Sequence, residues 1–142
     1  MTKPISDIPI TVEHPEHGLA PSAQVKALLQ ELQDMLLVLI KTGEHNYIDI
    51  RSLPLMPGEL QNLKDILGRG EVEATVNALG PTLIMETQIP GVWWVTHKNS
   101  HNEVLSELIE VTALPEILVT QHHDLHESPQ LLKHRLEEWD VS

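Results

Sequence analysis

The segment Ile89-Pro90-Gly91-Val92-Trp93-Trp94-Val95 carries two of the three tryptophans in a chain of 142 residues that has no phenylalanine and one tyrosine. In a β-strand successive side chains point to opposite faces, so adjacent indoles cannot enter the same core. A fold containing this strand must either roof both faces of its sheet or leave one indole at the surface. A sheet with a single core predicts that one of Trp93 and Trp94 faces inward and that the other is a recognition surface.

The rest of the pattern supplies the elements around that strand. Residues 1–20 hold Pro4, Pro9, Pro15 and Gly18 without periodicity and read as a flexible arm, leaving 21–142 as one domain. Ser22 is a good N-cap for a helix in which Val25, Leu28, Leu29, Leu32, Met35, Leu36, Leu39 and Ile40 recur at helical spacing, with Gly43 just past its end. Leu37 and Val38 widen its apolar stripe, as in a central helix or one that also meets a partner. Tyr47 to Arg51 alternates as a strand, Pro57 opens a second helix that Gly68 ends, and Glu71 to Ala78 alternates again. Thr82 to Thr87 and Gly91 to His97 read as one long strand interrupted at Pro90. Val104 to Thr112 returns beside it in a hairpin over about 91–112, turning around Asn99-Ser100. A short helix after Pro115 and a last helix over roughly 128–139 close the chain. Consecutive strands joined by short turns predict an α+β domain with an antiparallel sheet of three to four strands packed against helices.

Charge narrows the function. Twenty-one acidic against nine basic residues give a net charge of −12 with histidine neutral. No Lys/Arg cluster is present to neutralise phosphates, which argues against nucleic acid and against anionic membrane surfaces. With no cysteine, disulfides, thiolate metal sites and cysteine nucleophiles are excluded. The first residues have no apolar signal region, and the longest apolar run, Met35 to Ile40, is too short to span a bilayer, so a cytoplasmic location and no membrane insertion are expected.

Chemical candidates are few. Histidines cluster at His122-His123-Asp124-Leu125-His126-Glu127, and on a helix His122 and His126 would share one face as two ligands of a zinc or nickel site. Ser128-Pro129 follows at once, which predicts a turn over 122–127, and no third-ligand pattern accompanies the pair. A metal carrier using His122, His123 and His126 is the rival reading, while the primary expectation holds no metal site and no cofactor. No nucleophile elbow, phosphate loop or dinucleotide fingerprint occurs, and Gly68-Arg69-Gly70 is too short to count as one. For a small enzyme the sequence offers only Glu107 and His97 as an acid–base pair. Glu107 is the more informative of the two, because it sits in the row Leu105, Glu107, Ile109, Val111. A carboxylate in an apolar row must be at an edge, paired, or used. With the turn at Asn99-Ser100, Leu105 falls opposite Trp94 and Glu107 opposite Val92, making Trp94 and Glu107 diagonal neighbours.

Several segments together resemble the hydrogenase expression/formation protein family, the HupH/HyaF accessory proteins of nickel–iron hydrogenases. They are Ile48-Asp49-Ile50-Arg51-Ser52-Leu53-Pro54-Leu55, Leu67-Gly68-Arg69-Gly70-Glu71-Val72, Glu86 through Val95, Glu107-Leu108-Ile109-Glu110-Val111 and Leu114-Pro115-Glu116-Ile117-Leu118. The likeness runs from about 24 to 118. It implies a non-enzymatic chaperone that assists maturation by binding a hydrogenase subunit precursor, and it brings other maturation proteins into view as partners. By position, Pro90, Gly91, Trp93, Trp94, Glu107, Glu110, Pro115 and Glu116 match the signature and are the partner-binding residues the resemblance implies. Whether the chain forms a homodimer stays open at this stage, as does which subunit is the client. Family members are usually longer, with additional sequence ahead of this region.

Overall fold

Ser22 caps the first helix as its sequence position predicts, its hydroxyl accepting the Val25 N–H at 3.2 Å, and Gly43 closes the helix in the left-handed region at φ 78°. This computed structural model describes residues 20–140, so the arm expected over 1–20 lies, apart from Ala20, outside the described residues. The elements are α1 (Ala23–Thr42), β1 (Asn46–Asp49), a 3₁₀ turn (Ile50–Ser52), α2 (Pro57–Leu67), β2 (Glu73–Asn77), β3 (Pro81–Glu86), β4 (Val92–Lys98), β5 (Val104–Val111), a second 3₁₀ turn (Glu116–Leu118) and α3 (His122–Asp140). The fold is α+β, and its sheet has five antiparallel strands in the order β1-β5-β4-β3-β2.

The count exceeds the three to four expected because residues 81–98 form two strands rather than one interrupted strand. Pro90 has no N–H to give a ladder and Gly91 takes φ 90°, the Pro-Gly pairing of a type II turn, closed by the Val92 N–H donating to the Ile89 carbonyl at 3.0 Å. Thr87 completes the turn, its hydroxyl donating to the Val92 carbonyl at 2.8 Å. The Pro90-Gly91 signature is therefore the bend of a β3–β4 hairpin.

The next hairpin also turns differently. Asn99 accepts the N–H groups of His101 and Glu103 on its side-chain oxygen, at 2.9 and 3.0 Å, and Asn102 takes φ 67°. The resulting turn is wider than an Asn99-Ser100 bend, so Trp94 pairs with Ile109 and Thr96 with Glu107, with a bulge at His97/Lys98. The shift is an even number of residues and keeps every side chain on its predicted face. Trp94 and Glu107 remain diagonal neighbours.

Both faces of the sheet are roofed. On one, Val25, Leu28 and Leu32 of α1 and Leu63 and Leu67 of α2 pack on Ile48, Ile50, Val92, Trp94, Ile109 and Val111. On the other, Trp93, Ile84 and Val95 form a second cluster with Ala74, Val76, Leu108 and Leu118. The strap after β5 closes this side: the Trp93 indole N–H donates to the Thr112 carbonyl at 3.0 Å and Pro115 is fully buried. Trp93 and Trp94 are each 5% exposed, so the expected outward indole does not exist. The strap of residues 112–118, too short and irregular to announce itself by periodicity, is what roofs the second face.

α3 also departs from expectation. It begins at His122, so the residues expected to turn are helical, and it runs through Pro129. The proline removes one backbone bond, while the turn before it is held by the Leu125 N–H to the Gln121 carbonyl and by the Ser128 hydroxyl to the Asp124 carbonyl, both 3.0 Å. None of its residues is buried.

Because both indoles are core residues, Trp93→Ala and Trp94→Ala should each destabilise the domain by about 3–5 kcal/mol in urea unfolding. A loss confined to one of them would contradict the two-sided core.

Candidate functional site: the Trp94–Glu107–Lys64 groove

α1 and α2 cover β1, β5 and part of β4, and they stop short of β3. The uncovered strip becomes an open groove of about 1020 Å³ between α2 and the sheet. Its floor is Leu83 and Met85 of β3, Trp94 and Thr96 of β4, and Val104 and Glu107 at β5. Gln61, Lys64 and Asp65 of α2 make one wall. One end is closed by the loop after α2, where the Gln88 N–H donates to the Leu67 carbonyl at 2.8 Å and the Gly70 N–H to the Glu86 carbonyl at 2.7 Å. Glycine is required there for approach: a Cβ on Gly70 would lie 2.5 Å from the Thr87 carbonyl oxygen. The Gly68-Arg69-Gly70 segment thus seats one loop on another.

Three side chains meet within the groove. The Trp94 indole N–H donates to Glu107 Oε2 at 2.8 Å, the Lys64 ammonium lies 3.3 Å from the same oxygen, and that ammonium also sits 5.1 Å from the Trp94 ring centroid. Each pair is favourable: a charge-assisted hydrogen bond, an ion pair and a cation–π contact. Of the three outcomes open to a carboxylate in an apolar row, Glu107 takes pairing. Its side chain is 13% exposed against 40% for Lys64, so the acid is held in the floor while the ammonium reaches water. Arg69 pairs with Glu73 at 3.1 Å, and Lys98 lines the far rim. Three of the chain's nine cations border this groove, within a molecule of net charge −12.

Trp93, Glu110, Pro115 and Glu116 lie on the opposite face. Glu110 pairs across the strands with Trp93, close to Glu116, His97 and His45. Desolvation pushes its carboxyl above the usual range, repulsion from Glu116 adds to the rise, and His97 and His45 oppose it. Pro115 is buried, Gly91 half-buried, and Pro90 and Glu116 are exposed. The eight predicted residues therefore form two groups: Trp94 and Glu107 in the groove, and Trp93, Glu110, Pro115 and Glu116 behind it, with Pro90-Gly91 at the turn. The acid–base pair considered for an enzyme is divided in the same way. Glu107 faces the groove, whereas His97 follows Thr96, the strand partner of Glu107, and turns to the opposite face to bond the Thr82 hydroxyl at 2.9 Å. Lys64, Arg69 and Lys98 escaped sequence reasoning, since a cation on the polar side of a helix or at a strand end carries no local mark of the acid it meets.

Among the described residues no group of three or more His, Asp or Glu side chains is arranged to hold a metal ion, and no helix is long and apolar enough to cross a membrane. His123 pairs with Glu127 at 3.1 Å and not with its histidine neighbours.

The family model described as the HupH hydrogenase expression protein, C-terminal conserved region, matches residues 22–139. The chain belongs to this family. A solved structure of the hydrogenase expression protein HupH from Thiobacillus denitrificans ATCC 25259 superimposes with a TM-score of 0.79 at 37% identity, covering 84% of this chain and 99% of that one. The hydrogenase expression/formation protein HupQ of Azotobacter chroococcum mcd 1 is 36% identical over 93 residues, 65% of this chain and 32% of the relative. HupH of Rhizobium leguminosarum bv. viciae is 26% identical over 131 residues, 90% of this chain and 45% of the relative. The chain thus spans less than half the length of these two curated relatives. These relatives are hydrogenase expression or expression/formation proteins.

Two measurements check the electrostatics. Glu107→Leu leaves the Trp94 N–H without an acceptor and should cost about 1–3 kcal/mol, whereas Glu107→Gln keeps an acceptor oxygen and should cost less. Equal losses would show that the hydrogen bond contributes nothing. For Glu110 the raised pKa means that the folded state holds the proton more tightly than the unfolded chain. Its favourable contribution is present in acid and is lost as pH rises through the folded-state value. Glu110→Gln should therefore gain stability on the parent as pH moves from acid to neutral. A constant difference across that interval would refute the assignment.

Proposed function

We propose that this chain is a non-enzymatic assembly chaperone for a nickel–iron hydrogenase, acting in the cytoplasm by holding a subunit precursor in the Trp94–Glu107–Lys64 groove. The observation that carries the reading is the groove itself. It has an apolar floor of Leu83, Met85, Trp94 and Val104, rimmed by Lys64, Arg69 and Lys98 and by Asp65 and Glu86, in the open space left between α2 and β3. Such a surface suits an unfinished polypeptide segment, whose apolar side chains find the floor and whose charges of either sign find a rim partner. The division of Glu107 from His97 by the sheet supports the non-catalytic half of the reading, since no other acid–base pair was offered by the sequence. Acidity outside the groove keeps the molecule from associating with itself nonspecifically. It also disfavours acidic competitors.

Co-expression of the tagged chain with precursor and mature hydrogenase subunits tests both parts. Retention of one precursor, but not of its mature form, is the expected result. Met85→Glu and Lys98→Glu should each reduce retention by about tenfold while leaving the circular dichroism spectrum unchanged. Retention insensitive to both changes would place the client elsewhere on the molecule. Retention of no subunit by the folded parent would end the precursor reading.

A further inference from the structure

Among the described residues α3 is the one long element whose residues are all exposed, and its sequence does not suit water on every side. Leu125, Leu132 and Leu136 are 54%, 65% and 61% exposed. With His122 and Pro129 they recur at alternating spacings of three and four, and Trp139 follows at the next step. That is the seam of a helix meant to lie along another helix. In proteins most of the stability of such a helix comes from packing its apolar face. Leu125, Leu132 and Leu136 are left open to solvent by the rest of the described residues.

The occupant is indicated by the two ends of the seam and by its flanks. At the amino-terminal end, His122 and His126 turn toward each other with their Nε2 atoms 2.8 Å apart and their rings edge to face at 84°. Two imidazole nitrogens converging on one point are half of a tetrahedral donor set, and a slight opening of the pair admits a cation at about 2.0–2.1 Å from each. The described chain offers no third ligand there. Along the flanks, Arg135 lies on one side of the seam and Asp140 five residues later on the other. In a parallel pair of identical helices these are the positions that meet between chains, with opposite charge. An antiparallel pair would separate them and would place the two histidine pairs at opposite ends. A membrane surface is disfavoured, since α3 carries Asp124, Glu127, Glu137, Glu138 and Asp140 against Lys133 and Arg135.

We propose that α3 pairs in parallel with α3 of a second copy of this chain, and that His122 and His126 of both copies gather into a four-imidazole site for a divalent cation of the zinc type. The site is incomplete in one chain and complete in two. It lies outside the Trp94–Glu107–Lys64 groove and does not depend on the chaperone reading.

Sedimentation velocity over a concentration series, with and without zinc chloride, tests this on the full chain. The parent should dimerise, zinc should tighten the dimer, and calorimetric titration should give one zinc for two chains. Leu132→Glu and Leu136→Glu, each at an exposed position, should weaken dimerisation more than about tenfold with the β-sheet signal retained. His126→Ala should abolish the zinc effect and keep the zinc-free dimer. A parent that stays monomeric with and without zinc overturns the proposal, and binding of a hydrogenase precursor lost in Leu132→Glu would then assign the seam to a client. A dimer indifferent to both leucine changes places the interface elsewhere and equally overturns it. Zinc bound with no dependence on His126, or one zinc per chain, is adventitious binding and removes the shared site.

Discussion

A strand can bury two neighbouring indoles only where both of its faces are roofed, and the rest of this fold follows from that demand on β4. Trp93 and Trp94 are each 5% exposed, one in each of two clusters separated by the thickness of a single sheet. Each indole carries a polar N–H into its cluster, and each finds an acceptor: the Thr112 carbonyl for Trp93 and the Glu107 carboxylate for Trp94. The acceptors differ in consequence. A backbone carbonyl fixes the strap that follows β5 onto the sheet, whereas a carboxylate brings a charge into an apolar row and calls for a cation. Lys64 answers from α2. One strand thus specifies where the strap lies and which side of α2 faces the sheet.

The two roofs are unequal, and the inequality makes the groove. Two helices on one face reach across β1, β5 and part of β4 and no further, so β3 is left bare on that side and Leu83 and Met85 become a floor. On the other face a short strap needs to cover only the second cluster. The domain therefore has a rigid, helix-walled concavity on one side and a thin lid on the other. Ser22 and Glu59 tie the helix wall together: the Ser22 hydroxyl donates to the Glu59 carboxylate at 2.6 Å, while the other carboxylate oxygen accepts the Met56 N–H at 3.0 Å. The Glu59 pKa is lowered, first by the Ser22 hydrogen bond and then by that of Met56, so the link is made by the charged form.

What could be read from the sequence was whatever rests on local chemistry. Ser22, Gly43, Pro57 and Gly68 mark the ends of α1 and α2 because capping and proline placement are local effects. Sheet class and side-chain faces are legible because a period of two survives an even shift in register, and the shift here is even, so Trp94 and Glu107 stay side by side although the turn is wider than the sequence predicts. Pro90-Gly91 reads as an interruption because a Pro-Gly pair marks a bend without stating whether the chain returns. The helical form of 122–127 is hidden because Ser128-Pro129 carries the local mark of a stop, whereas Pro129 lies in the interior of α3. Lys64 was illegible for a different reason: its role exists only once α2 and β5 are packed, and periodicity does not say which polar residue will meet which acid.

The triad is asymmetric, and the asymmetry bears on what the groove can do. Glu107 is held by the Trp94 N–H in a largely buried position, so removing its partners would strand a charge where water is scarce. Lys64 is two-fifths exposed on a flexible stem, so its attraction to Glu107 is screened, and the ammonium can turn toward solvent at low cost. Anything entering the groove therefore meets a fixed acid and a movable cation above a flat indole. A cationic group that displaces Lys64 inherits both the carboxylate and the ring, whereas an anionic group meets Lys64 as a partner that can swing out to it. Both responses use side-chain motion alone, because the backbone beneath is pinned between two cores. A concavity built this way accommodates groups of either charge without reorganising the fold, which is what the proposed binding of an unfinished segment requires.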